Sequence, residues 1–159
     1  MPFVMLGTAL LWFGWFGFNA GSALGANSLA VNAFVVTNAA AAAAGLCWAI
    51  LEWVRIGKPT VFGVMTGAIA GLATVTPAAG YIGPVTGLLI GMFASILCYI
   101  SISIIKPYFG YDDSLDAFGV HGVGGILGTL LTGVFASKAI NPAGADGLLN
   151  GNPKLFLAQ

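Results

Sequence analysis

Charge is what this sequence has least of. Lysine and arginine together number five and aspartate and glutamate another five, so charged residues are 6% of the 159. A soluble domain carries about a quarter. So few charges cannot cover a core with polar surface, which excludes an ordinary soluble fold. The net charge is zero, so no basic field invites nucleic acid. There are two cysteines, Cys47 and Cys98, both inside apolar runs, and a single histidine, His121. No disulfide is expected, and the set is too small for a metal site. No nucleophile–base pair and no phosphate-binding loop can be found, which argues against an enzyme and against a cofactor. Met1-Pro2 opens straight into an apolar run, with no basic stretch and no small-residue cleavage motif, so no secretory signal is expected.

What is abundant is apolar length. Hydrophobic residues make up 58% of the chain, and a membrane-spanning helix needs about 20 of them in a row. The chain offers about five such segments: Pro2 to Ala23, Ser28 to Arg55, Thr60 to Val75, Pro84 to Ile105 and Leu115 to Phe135. The expected class is an all-α, polytopic, integral membrane bundle. The third segment is short, and its continuation TPAAGYIGP, with Pro77, Gly80, Gly83 and Pro84, predicts a broken, re-entrant turn. Glycines recur every fourth residue at Gly63, Gly67 and Gly71, at Gly83, Gly87 and Gly91, and at Gly124 and Gly128. That spacing lets helix backbones approach closely. Arg55, Lys58 and Lys106 fall in loops on one side, while the loops ANS and TPAAGYIG carry no charge. The positive-inside rule puts the cationic side in the cytoplasm. The segment from Asn141 to Pro153 is polar and glycine-rich, and KLFLAQ begins a further apolar run that suggests a fragment.

Polar groups within such runs are the candidates for function. His121 sits in DAFGVHGVGGILG, about five residues beyond Asp116. A buried, neutral imidazole donates one hydrogen bond and accepts another. It suits a small polar guest, or equally a bond to a neighbouring carbonyl that packs the bundle. Asp113 or Ser114 can cap the last segment, with Asp112 and Asp116 beside them. Glu52 precedes Arg55 by three residues and is expected to pair with it. In GWFGFNAGS, Trp12, Trp15, Phe18 and Ser22 share a helical stripe. Aromatic packing at the headgroup level would explain it. So would a cation site, in which Ser22 accepts a hydrogen bond, an aromatic face attracts the charge and a deeper phenyl ring blocks the way.

Several of these stretches also resemble one family. WFGFNAGS, the alanine-rich second segment ending EW-R-GKP, GAIAGLATVTPAAGYIGP and YDDSLDAFGVHGVGGILGTLLTGVFA are similar, in order, to the ammonium transporter (Amt) ammonia channels. The resemblance runs from about Gly7 to Phe135. It implies an eleven-helix fold of two inverted five-helix repeats, of which residues 1–159 are the second repeat, a partial membrane domain. It implies a homotrimer in the cell membrane, ammonium or ammonia as substrate, and a PII-type regulatory partner at the cytoplasmic face. Residue by residue, Ser22 matches the serine of the outer recruitment site and Phe18 one ring of a phenyl gate. Trp15 and Leu11 match lining positions, and His121 matches one of two facing pore histidines. The second histidine and the partner ring belong to the other repeat. A Rhesus-type gas or small-solute channel, or a half-size structural subunit inactive alone, are the alternatives.

Overall fold

A computed structural model describes residues 1–159 and is helical throughout. Helix α1 spans Pro2–Gly21, α2 Ser28–Ile56, α3 Val61–Val75, α4 Pro84–Phe109 and α5 Phe118–Phe135. A short α6, Pro153–Ala158, follows a polar loop. Four of these are long and apolar enough to cross a membrane. Helix α3 has 15 residues, about 22 Å at 1.5 Å per residue, and falls short of a full crossing. Its continuation is a chain of turns rather than helix, and Ala78, Ala79 and Ile82 in it are buried. Asn32 donates to the Ile82 carbonyl at 2.9 Å, and the Ser137 amide donates to that of Tyr81 at 2.9 Å. Irregular backbone is thus hydrogen-bonded within protein, as a membrane interior requires.

The small residues explain the packing. Helix α2 is the centre of the bundle, with Ala33, Val36, Ala40, Ala41 and Ala44 almost wholly buried. The α3 glycines climb it in antiparallel register. A Cβ on Gly63 would meet the Glu52 carboxylate, one on Gly67 would lie 2.5 Å from Trp48 Cβ, and one on Gly71 2.6 Å from the Ala40 carbonyl. On the other flank, a Cβ on Gly91 would overlap the same Ala40 carbonyl, and one on Gly87 would press on Val36. A Cβ on Gly83 would meet nothing, and Gly83 serves instead as the residue that starts α4. Close backbone approach of this kind is held by dispersion.

Three boundaries or pairs differ from the sequence expectation. Helix α4 runs past Ile105 to Phe109 although Pro107 lies in it. Proline lacks an N–H and crowds the carbonyl four residues back. The turn just before it, Ser101–Ile105, is widened to a π-helix, which relieves that crowding. Helix α5 starts at Phe118 rather than Leu115, because Asp116 takes a left-handed backbone, φ 55°. Glu52 does not pair with Arg55. Its carboxylate accepts from the Thr60 amide at 2.6 Å and from the Thr60 hydroxyl at 3.0 Å, while Thr60 Oγ1 accepts from the Gly63 amide at 2.9 Å. Folding brings Thr60, at the start of α3, onto the buried carboxylate, and its two donors satisfy it there. Arg55 lies instead over the Tyr99 ring, 5.7 Å from its centre. Glu52→Ala is therefore expected to lower unfolding stability by about 1.5–3 kcal/mol, read by thermal unfolding in detergent, and Arg55→Ala by about 0.5–1 kcal/mol. Equal effects would contradict this assignment.

Candidate functional site

Helix α1 is thinly covered, with only 6% of its apolar window buried. Its open face carries the stripe. At about 100° per residue, Leu11, Trp15, Phe18 and Ser22 cluster within a narrow sector, and Trp12 lies about 60° outside it. Leu10, Leu11, Gly14, Trp15 and Phe18 line a groove of about 300 Å³. Trp12 is half-buried and does not line it. Phe18 is 64% and Leu11 51% exposed.

Trp15 is the best-held member. Its indole Nε1 donates to Thr76 Oγ1 at 2.7 Å, and that hydroxyl donates in turn to the Leu72 carbonyl at 2.7 Å. Thr76 closes α3, so the end of one helix orients the ring of another. The indole lies edge-on to Phe18, centroids 6.4 Å apart, and parallel to the His121 imidazole at 6.3 Å and 9°. One turn beyond Phe18, Ser22 Oγ donates to the Phe18 carbonyl at 2.7 Å. Its proton is thereby committed and its lone pairs face outward as acceptors. Ser22 and Phe18 border a cleft of about 270 Å³ shared with Asn19, Thr76, Tyr81 and Asn141. The buried Asn19 amide donates to Thr37 Oγ1 at 3.0 Å and ties α1 to α2.

His121 is not buried as its sequence position suggests. It is exposed on the same open face as Phe18, and neither the carbonyl bond of the packing alternative nor any other side-chain hydrogen bond ties it to the chain. It lines a cavity of about 350 Å³ with Thr8, Thr66 and Asp116. A neighbouring cavity of about 380 Å³ holds Asp116 together with Arg55 and Glu52. The cationic ends of α2 and α4 thus lie at one end of the bundle, and Ser22 at the other. The structure brings together Trp15, Phe18 and His121 from two helices, with Ser22 a turn away and Leu11 a turn back.

At the cationic end, Lys106 Nζ meets Asp116 Oδ1 at 2.7 Å and donates also to the Asp113 carbonyl. The Asp113 carboxylate caps α5, accepting from the amides of Phe118 at 3.2 Å and Gly119 at 3.1 Å. Desolvation pushes the Asp113 carboxyl up, but the amides of Gly119, Phe118 and Ala117 and the charge of Lys106 outweigh it and hold it below the usual carboxylate range. No cluster of His, Cys, Asp and Glu could hold a metal ion. Thr76, Asn19, Thr37 and Tyr81 escaped the sequence reading. The threonine just before Pro77, at the end of a glycine-striped helix, was the available signal for the first.

The sequence model described as Ammonium Transporter Family matches residues 1–159. An ammonium transporter of Aquifex aeolicus is 53% identical over 159 residues, which are 100% of this chain and 37% of that protein. One of Bacillus subtilis is 49% identical over 99% of this chain and 39% of its own length. Among solved structures, Saccharomyces cerevisiae Mep2 superposes with a TM-score of 0.90 at 39% identity, over 97% of this chain and 36% of Mep2. A structure described as a sensor Amt protein does so at 0.87 and 35% identity, over 99% of this chain and 38% of its own.

Proposed function

The chain belongs to the ammonium transporter family and spans 37% of the length of its Aquifex relative; from that premise we propose that it is the part of an ammonium channel that carries one wall of the pore. The observation that supports this best is the Phe18–Trp15–His121 series on the open face, with Ser22 at its mouth.

Ammonium arrives at the Ser22 end, taken as the outer one from the charge of the opposite end. An N–H of the cation donates to the free lone pair of Ser22 Oγ. The adjoining ring of Phe18 offers its face to the charge, worth up to about 2 kcal/mol once water is excluded, and Trp15 backs it from one turn deeper. Phe18 obstructs hydrated ions. Beyond it the walls are Leu11 and Trp15, whose indole proton is already given to Thr76, so nothing there replaces a full hydration shell. The cation gives up its proton to water at the mouth before this stretch, leaving hydronium outside, and ammonia passes. His121 then supplies a donor and an acceptor in an otherwise apolar path. The facing wall, with a second imidazole and the partner gate ring, comes from the other repeat, within a homotrimer in the cell membrane. A PII-type regulator would approach the Arg55, Lys58 and Lys106 side.

In the membrane protein that carries this segment, reconstituted in liposomes, Ser22→Ala is expected to raise the half-saturating ammonium concentration about tenfold, as loss of one bond to a charged donor does. Methylammonium should compete for uptake. A wild-type protein that moves no ammonium sinks the proposal. An Ser22→Ala curve that superposes on the wild-type one removes Ser22 from it, and failure of methylammonium to compete favours a Rhesus-type channel.

A further inference from the structure

Helix α5 presents a problem of geometry at its start. Gly124, Gly128 and Thr132 are buried, and the two glycines press on α3: a Cβ on Gly124 would lie 2.7 Å from Thr74 Oγ1, and one on Gly128 would overlap the Thr74 carbonyl. In a regular α-helix, His121 stands three and seven residues before these glycines and would share their face. It would then point into α3. Instead it is exposed and stacked on Trp15.

The cause is the π turn Phe118–Gly122, in which the Val123 amide reaches back to the Phe118 carbonyl. A π turn holds an extra residue within an α-helix, and one residue amounts to about 100° of rotation. His121 is the fourth of the five residues of that turn, so part of this rotation falls between it and Gly124, and its ring lies along Trp15 while still bordering a cavity with Met65, Thr66 and Ile69 of α3. Such a turn needs something to hold it, and three contacts supply this. The Asp113 carboxylate takes the first two amides of the turn. Lys106 joins the end of α4 to Asp116 and to the Asp113 carbonyl. Gly119 sits under the matching π turn of α4, where a Cβ would lie 2.5 Å from Ile102 Cγ1. Asp116 itself holds a left-handed backbone, φ 55°, a conformation that aspartate tolerates at a cost.

We infer that Lys106, Asp113 and Asp116 are positioning residues for conduction: they hold the π turn that aims His121 at the pore. This rests on the reading of His121 given under Proposed function. None of the three touches the Ser22 mouth, so their loss acts on passage and not on capture.

The test uses the membrane protein that carries this segment, with Lys106→Met and Lys106→Arg in liposomes. Lys106→Met is expected to lower the maximal ammonium flux about tenfold, the loss of one charge-assisted contact, with the half-saturating external concentration unchanged. Lys106→Arg restores flux. In parallel, solid-state NMR of labelled His121 reads the ring-current shift imposed by the stacked Trp15, which should vanish in Lys106→Met and return in Lys106→Arg. Flux that falls while the His121 signal stays in place overturns the inference, as does a shift that moves while flux does not. If Lys106→Met fails to assemble, Asp116→Asn, which keeps an acceptor oxygen for Lys106, is read in the same way with a smaller expected change. A wild type that carries no ammonium defeats the functional reading alone, since the NMR arm still reports where Lys106 puts His121.

Discussion

His121→Leu is expected to cut ammonia flux by about a hundredfold, or to let charge through with the substrate. Leucine matches the imidazole roughly in bulk and removes both hydrogen-bonding nitrogens. A polar guest left without a partner in an apolar passage costs at least about 2–3 kcal/mol, and about 1.4 kcal/mol is a factor of ten in rate. Trp15 should keep its place without the imidazole beside it, because its indole is held by Thr76, at 2.7 Å. The change would then fall on passage and not on the wall around it. Stopped-flow recording of internal pH in liposomes gives the flux, and a solid-supported membrane gives the accompanying current. Unchanged flux with unchanged current would remove His121 from the mechanism. A change confined to current would assign it to keeping the proton behind.

Gly128→Val is expected to prevent α5 from closing on α3, and the comparison with its neighbour Gly125 makes the prediction sharp. Any Cβ at 128 would overlap the Thr74 carbonyl and press on Pro77, whose ring is 3.2 Å away, whereas a Cβ at 125 meets nothing within 4 Å. The obstacle at 128 is backbone at the end of a helix and cannot swing aside. Overpacking of this kind costs about 1–3 kcal/mol, occasionally more, and here it also displaces the helix that bears His121. The yield of assembled protein and its thermal midpoint should fall steeply for Gly128→Val and barely change for Gly125→Ala. Equal behaviour of the two would mean that α5 does not rest on Thr74 as described.

These contrasts mark how far the sequence could be read. The helices were legible because long apolar runs with almost no charge admit little else, and the spacing of Gly63, Gly67 and Gly71 announced a backbone contact. The partner of that contact was not legible. Nothing local says that α2, through Glu52, Trp48 and Ala40, is the surface those glycines climb. Glu52 and Arg55 show the local rule failing. A spacing of three residues favours an ion pair, but burial gave the carboxylate to two donors of Thr60 and left Arg55 to an aromatic ring. Helical spacing put Trp15 and Phe18 on one stripe with Ser22, but it also put Trp12 there, which lies outside the groove, while Leu11, which does line it, came only from the resemblance. That Trp15 would be fixed by Thr76, 61 residues away, did not follow from spacing.

By itself, then, the sequence determined that this is an all-helical membrane protein, roughly where its helices run and that Trp15 and Phe18 of α1 share a face with Ser22. Hydropathy and helical period are properties of neighbouring residues, and the residues carry them wherever the chain goes. Its likeness to the ammonium channels lay in the order of its motifs as well. Only the tertiary structure decided which way His121 points. Its ring lies along Trp15 at the end of a π turn whose first two amides are taken by Asp113 in the preceding loop, where Lys106 of α4 also meets Asp116, and contacts across the bundle of that kind are contained in no run of neighbours.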